Sequence, residues 1–220
     1  MSTVLKPFGL KPAYHPSGLD RAIPFAGQQA DGTTKTYTLA SGAFYQYTPL
    51  GIGTAGLLTV AATAGTGGAT ASQVFGSFDG VEYTNTDGRR SVAKYITAAT
   101  AAAVTEITFW IFQDPSLVYE IQATGPIDAN SIGLQYNFSP TSGYLTTSGT
   151  AIGVGGAGFS TTALNPTAVA ASAQGQLRVY GLGRDVAVPA GSAVNAWNDA
   201  YTIVQVQIAN NSFTANKTAP

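Results

Sequence analysis

The sequence predicts an all-β fold, an antiparallel sandwich or barrel, on three observations. Apolar residues recur with a period of two rather than 3.6. The runs carrying that period are short and end at Gly, Pro, Asn or Asp. Between them lie long Gly/Ala/Ser/Thr-rich stretches with no sustained period, which read as surface loops or as segments ordered only by a partner.

The elements follow in chain order. "PFGLKPAYHPSG" (7–18) carries Phe8, Leu10 and Tyr14 among Pro7, Pro12 and Pro16. Each proline removes a backbone donor and pushes its predecessor out of the helical region, so this stretch is extended and makes a poor central strand. Residues 1–22 are therefore expected as an extended N-terminal arm, and 23–220 as one β-rich domain. "TKTYTLASGAFYQYTPLG" is rich in Thr and Tyr and stops at Pro49. In "VFGSFDGVEYTNTDGRRSVAKYI", Val81 and Tyr83 lead into an Asp87-Gly88 turn, and Val92, Lys94 and Ile96 lead out. The helix-permissive run "SVAKYITAATAAAVTEI" has five alanines within 98–103 and no evident caps; it reads as a loop or short helix.

"ITFWIF" (107–112) is continuously apolar, as a strand buried on both faces is. "SLVYEIQA" puts Leu117, Tyr119 and Ile121 on one side. "IGLQYNF" and "GQLRVYGLGRD" are further strands. In "AYTIVQVQIANN", Val204, Val206 and Ile208 share the core face, and Ile203, Gln205 and Gln207 the other. About eight to ten strands are expected in total, with loop insertions near 51–73 and 140–173.

Composition narrows the function classes. The chain has 220 residues, 45% hydrophobic, so a sizeable core is possible. Charged residues are only 10%, against the ~25% usual in soluble domains, which favours broad surface contact. Net charge is −1 and the basic residues are scattered apart from Arg89-Arg90, which argues against nucleic acid as a partner. There is no cysteine for disulfides or thiol chemistry. The first twenty residues lack an apolar signal region, and no run reaches the ~18 apolar residues of a membrane span. Synthesis in a cytoplasm with no membrane partner is the expectation, and Asn137, Asn211 and Asn216 then match the glycosylation pattern by chance.

No pattern assembles a catalytic site, and no enzyme activity, metal or cofactor is expected. "GIGTAG" (51–56) and "GVGGAG" (153–158) fit G-x-G-x-x-G, but neither precedes an amphipathic helix. His15 is the single histidine, too few for a multi-histidine zinc site. It stands in the extended arm without the buried Asp and activated Ser of a triad. Asp79, Asp87, Asp114 and Asp185 sit in turn contexts, where Asp bonds local backbone. Glu82 and Glu120 lie within strands, facing solvent or paired.

Four stretches taken together, "PFGLKPAYHPSG", "FGSFDGVEYTNTDGRRSVAKYI", "DPSLVYEIQA" and "NAWNDAYTIVQVQIANN", resemble a family of tailed-bacteriophage structural proteins, the capsid cement or head decoration proteins. The resemblance runs in order across most of the chain; 51–73 and 140–173 lie outside it. It implies an all-β protein of the virion's outer capsid surface, usually a homotrimer. Such a protein sits over capsomer junctions and stabilises the head, with the major capsid protein and its own copies as partners. On that reading the arm docks on a neighbour through Pro7, Phe8, Gly9, Leu10, Pro12, Tyr14 and His15. Phe8, Leu10 and Tyr14 are its anchors, and the prolines limit the entropy lost on ordering. The competing expectation is that the arm covers an edge or apolar face of its own domain. The rival class is a tail-associated or receptor/carbohydrate-binding β-module, for which Trp197, at the entry to the last strand, is better placed than Trp110 in the apolar run.

Overall fold

The computed structural model describes residues 4–18, 21–26, 43–52, 58–61, 73–139, 160–183 and 195–214. In chain order its strands are β1 (Lys11–Tyr14), β2 (Ile23–Ala26), β3 (Ala43–Tyr45), β4 (Pro49–Ile52), β5 (Leu58–Val60), β6 (Gly76–Thr84) and β7 (Arg90–Ala93). There follow β8 (Tyr95–Thr97), helix α1 (Ala98–Ala103), β9 (Thr105–Phe112), β10 (Val118–Gln122), β11 (Gln135–Phe138), β12 (Leu164–Ala168), β13 (Leu177–Leu182) and β14 (Ile203–Ile208). The all-β antiparallel fold read from the sequence is the one observed. The strands number fourteen among the described residues rather than eight to ten, because several are pieces of three or four residues.

Two six-stranded sheets and a two-stranded ribbon organise the chain. The first sheet runs β1-β10-β14-β13-β11-β12; the second runs β2-β9-β6-β4-β5, with β7 also on β6; β3 and β8 form the ribbon. Among the described residues both sheets are open, and no strand pairing closes either into a barrel.

Each sheet has its own core. On the first, Tyr119 and Ile121, Tyr136 and Phe138, Leu177 and Val179, and Val204, Val206 and Ile208 all point inward, with Leu10, Val74 and Ile127 beneath them. The predicted phase of β14 holds, but its other face is not a solvent face: Gln205 is buried and Gln207 half-buried. On the second, Phe78, Val81, Ile107, Phe109 and Ile111 meet Phe44 and Ile96 of the ribbon and Ala101 and Val104 at α1. Phe44, Phe78 and Phe109 form a triangle of tilted and edge-to-face contacts with centroids 5.8–6.4 Å apart, the geometry that ring quadrupoles favour.

Local sequence explains most of these elements. The β6–β7 hairpin pairs Thr84 with Arg90, and Gly88 takes φ +82° in the turn. Ile96, expected in the outgoing strand, instead begins again after Lys94 and pairs with Phe44 in the ribbon. The Ala-rich run is a short helix and, against expectation, it is capped: Thr97 Oγ1 accepts the Thr100 N–H at 3.1 Å. "ITFWIF" is corrected too. Ile107, Phe109 and Ile111 are buried while Thr108, Trp110 and Phe112 are half-buried, so β9 alternates: the second core takes one side, and on the other Phe112 packs against the first core. Within the expected loops, 51–52 belong to β4, 58–60 to β5 and 164–168 to β12; residues 53–57, 62–72 and 140–159 lie outside the described residues, as does "GVGGAG".

Candidate interaction surface at the N-terminal segment

The N-terminal segment is built into the seam between the two cores. Leu10 is fully buried in the first core, while its N–H donates to Tyr47 O (2.8 Å) and its C=O accepts from Ser77 Oγ (2.6 Å), both on the second-sheet side. Gly9 makes that approach possible. It adopts φ +79°, and a Cβ there would stand 2.6 Å from Ser160 Cβ and closer still to Tyr47 O. Tyr47 itself is held at φ 66°, a costly conformation for a bulky residue. Its N–H is tied to Phe78 O, so the strained turn aims its carbonyl at Leu10.

Beyond Leu10 the chain becomes β1, the edge strand of the first sheet, pairing Lys11 with Glu120, Pro12 with Tyr119 and Tyr14 with Val118. A proline is tolerated there because an edge strand has a side with no ladder partner. Upstream, Gln122 is buried and clasps the segment: its Oε1 accepts the Lys6 N–H (2.8 Å) and its Nε2 donates to Val4 O (3.0 Å). The expectation that Leu10 anchors a neighbour is therefore corrected, since its side chain is spent on its own core. Pro7, Phe8, Pro12, Tyr14 and His15 are half-buried and keep an outward surface, whereas Gly9 is buried.

His15 fastens the end of β1 to the turn after β9. Its Nδ1 accepts from Ser17 N (3.0 Å) and Ser17 Oγ (2.6 Å), and its Nε2 lies 3.2 Å from Asp114 Oδ2, off the axis of a hydrogen bond. Asp114 Oδ1 takes the Ser116 N–H at 2.7 Å. That bond, helped by His15, holds the Asp114 carboxyl below the usual aspartate range against the opposing effect of partial burial. Ser17, His15 and Asp114 thus stand in a row that sequence reasoning had no spacing to find. With Ser17 on Nδ1 and Asp114 beside Nε2, however, the ring is reversed relative to a hydrolytic triad, and the His15–Asp114 contact is not a hydrogen bond. An acyl-transfer site also needs oxyanion donors beside the nucleophile, and the adjacent Gly18 N–H is already given to His15 O. The contacts work as a clip.

Asp87 and Asp114 bond local backbone as their turn contexts predict, but Asp79 is corrected: it lies inside β6 and holds two side chains remote in sequence. Asp79 binds Gln46 Nε2 (2.9 Å) and Lys94 Nζ (3.0 Å), Glu82 pairs with Arg90, and Asp87 accepts the Arg89 N–H. Asp185 lies outside the described residues. Asn137 and Asn211 use their side chains on the backbone of Gln176 and Phe213. Among the described residues no three His, Cys, Asp or Glu side chains gather as a metal site, and no helix is long and apolar enough to cross a membrane.

The sequence did not single out a second surface, on strands of the second sheet and ribbon. With Ile107, Phe109 and Ile111 turned into the core, register puts Pro24 and Trp110 on the outer face in one row and Thr108, Glu82 and Val92 in the next. Val92 is 74% exposed, and Tyr95 on the ribbon, stacked on Tyr45, is 52% exposed. Trp197 is half-buried against the first core. No protein-family model, curated protein or solved structure matches the chain.

Proposed function

We propose that the protein is a virion structural protein of the capsid cement or head decoration class, bound as a homotrimer to the outer surface of a phage head and stabilising it through the major capsid protein. The resemblance of the four stretches motivates the assignment. The observation that carries it physically is the set of apolar groups held at the surface by strands: Val92, Tyr95, Pro24 and Trp110. Strand-borne groups lose little conformational freedom on docking, so more of their burial appears as affinity. The charges around them are already paired, Arg90 with Glu82 and Glu106 and Lys94 with Asp79, so a partner need not supply counterions. Phe8, Pro12 and Tyr14 add the outward surface of the seam segment to this reading.

The test is reconstitution. Purified protein is added to heads lacking it, with sedimentation and negative-stain imaging of a tagged copy as readouts. Decorated heads are expected, and light scattering is expected to give a trimer mass. Val92→Glu and Tyr95→Glu should each weaken head binding at least tenfold, about 1.4 kcal/mol, with the melting temperature unchanged. Label on tails would move the protein to the tail-associated or receptor-binding class. A monomer in solution that stays monomeric on heads would remove the trimer.

A further inference from the structure

On the outer face of the first sheet, register sets Gln135, Arg178 and Gln207 side by side across β11, β13 and β14. Their strand neighbours Leu177, Val179, Val206 and Ile208 fill the core, so these polar side chains leave on the opposite side. Here lies a cleft of about 260 Å³ with Arg178, Gln207, Ser116 and Thr214 as polar walls and Pro115 and Ala209 as apolar ones. Gln207 Nε2 donates to Ser116 O (3.2 Å), which fixes the β9–β10 turn against β14 as one side of the cleft.

Arg178 is half-buried, has no ion pair among the described residues, and its buried Nε has no acceptor. A buried guanidinium nitrogen left this way is unusual, because buried polar groups are nearly always satisfied, and the planar fork of Arg matches the two oxygens of a carboxylate. There is one cation; the rest of the polar lining is neutral hydroxyl and amide, and the remainder is apolar. That suits a ligand with one carboxylate, several hydroxyls and a C–H face. The volume lies just under the ~300–1,000 Å³ of pockets for drug-sized ligands, which points to a single ring. Next along β13, Tyr180 is 51% exposed and meets Tyr14 edge-on at 6.4 Å, offering an aromatic surface beside the cleft.

We propose that this cleft binds an acidic sugar residue of the uronic acid class, with Arg178 on the carboxylate and Ser116, Gln207 and Thr214 on the hydroxyls. The inference does not depend on the capsid reading. The experiment is calorimetric titration of the full chain with glucuronate, glucose, acetate and sulfate at matched ionic strength, and with a glutamate-rich peptide. Saturable glucuronate binding is expected, with glucose and acetate at least tenfold weaker. Arg178→Gln should lose at least tenfold and Thr214→Val several-fold, each with the parent's circular dichroism spectrum; should Arg178→Gln fail to fold, Thr214→Val and Gln207→Ala carry the test. No saturation by glucuronate overturns the proposal. So does sulfate binding as well as glucuronate, which means a general anion site. An Arg178-dependent peptide complex tighter than the sugar also overturns it, in favour of protein docking.

Discussion

The two cores are built from different kinds of sequence. The second draws its buried residues from 44–111, a nearly continuous stretch, and is dominated by Phe44, Phe75, Phe78 and Phe109. The first gathers Leu10, Ala61, Val74, residues 117–138, Leu164, Leu177, Val179 and 204–208, and is largely aliphatic with Tyr119 and Tyr136. The second is thus local in sequence, whereas the first must join the two ends of the described chain. Loop closure costs grow with separation and must be met before non-local contacts form. The second core is thus placed to form early and the first to complete the fold, with Leu10 as the last piece shared between them.

The hardest break is removal of residues 1–18. It takes away Leu10 and the β1 edge together, so the isolated protein should melt well below the Leu10→Ala variant, itself down about 2–5 kcal/mol. Near-normal melting of the truncated protein would mean that the segment is no part of the seam.

Kinetics sharpen the comparison next. Phe109→Ala in the second core should cost about 3–5 kcal/mol and Ile121→Ala in the first about 2–5. In stopped-flow refolding, Phe109→Ala should chiefly slow folding, and Ile121→Ala chiefly speed unfolding. The reverse partition would invert the proposed order.

Tyr119 distinguishes the first core by pH. Burial foremost, with Asp114 adding, pushes its phenol well above the usual tyrosine value, and its Oη donates to Phe112 O at 3.0 Å. A folded pKa above the unfolded one means that stability is intact below about pH 10 and falls above it, as only the unfolded chain ionises. Tyr119→Phe should lose about 1 kcal/mol near neutrality. Above pH 10 its denaturation midpoint should fall less steeply than the parent's; parallel curves would remove Tyr119 as the cause.

The smallest effect tests the second core's lid. Thr97→Ala removes the α1 cap and should cost about 1 kcal/mol by urea melting. No change would mean that Ala101 and Val104 hold the helix without it.

Much of the fold was legible because it rests on short-range rules. Alternation in "AYTIVQVQIANN" placed Val204, Val206 and Ile208 in the core. Asp87-Gly88 placed a turn, because a glycine accepts positive φ wherever it stands in the chain. What covers the outer side of a strand is not a property of that strand, so the burial of Gln205 and the half-burial of Thr108 and Trp110 in "ITFWIF" were not readable. The site divides in the same way. The prolines of "PFGLKPAYHPSG" fixed an extended segment by removing donors and restricting φ. Its destination depended on a carbonyl at Tyr47, a hydroxyl at Ser77 and an amide at Gln122, all remote in sequence. Arg178 shows the limit most plainly: alternation with Leu177 and Val179 turns it outward, but only the tertiary structure sets it in a cleft where no carboxylate of the described residues pairs with it, because an ion pair is a meeting of two places in the chain.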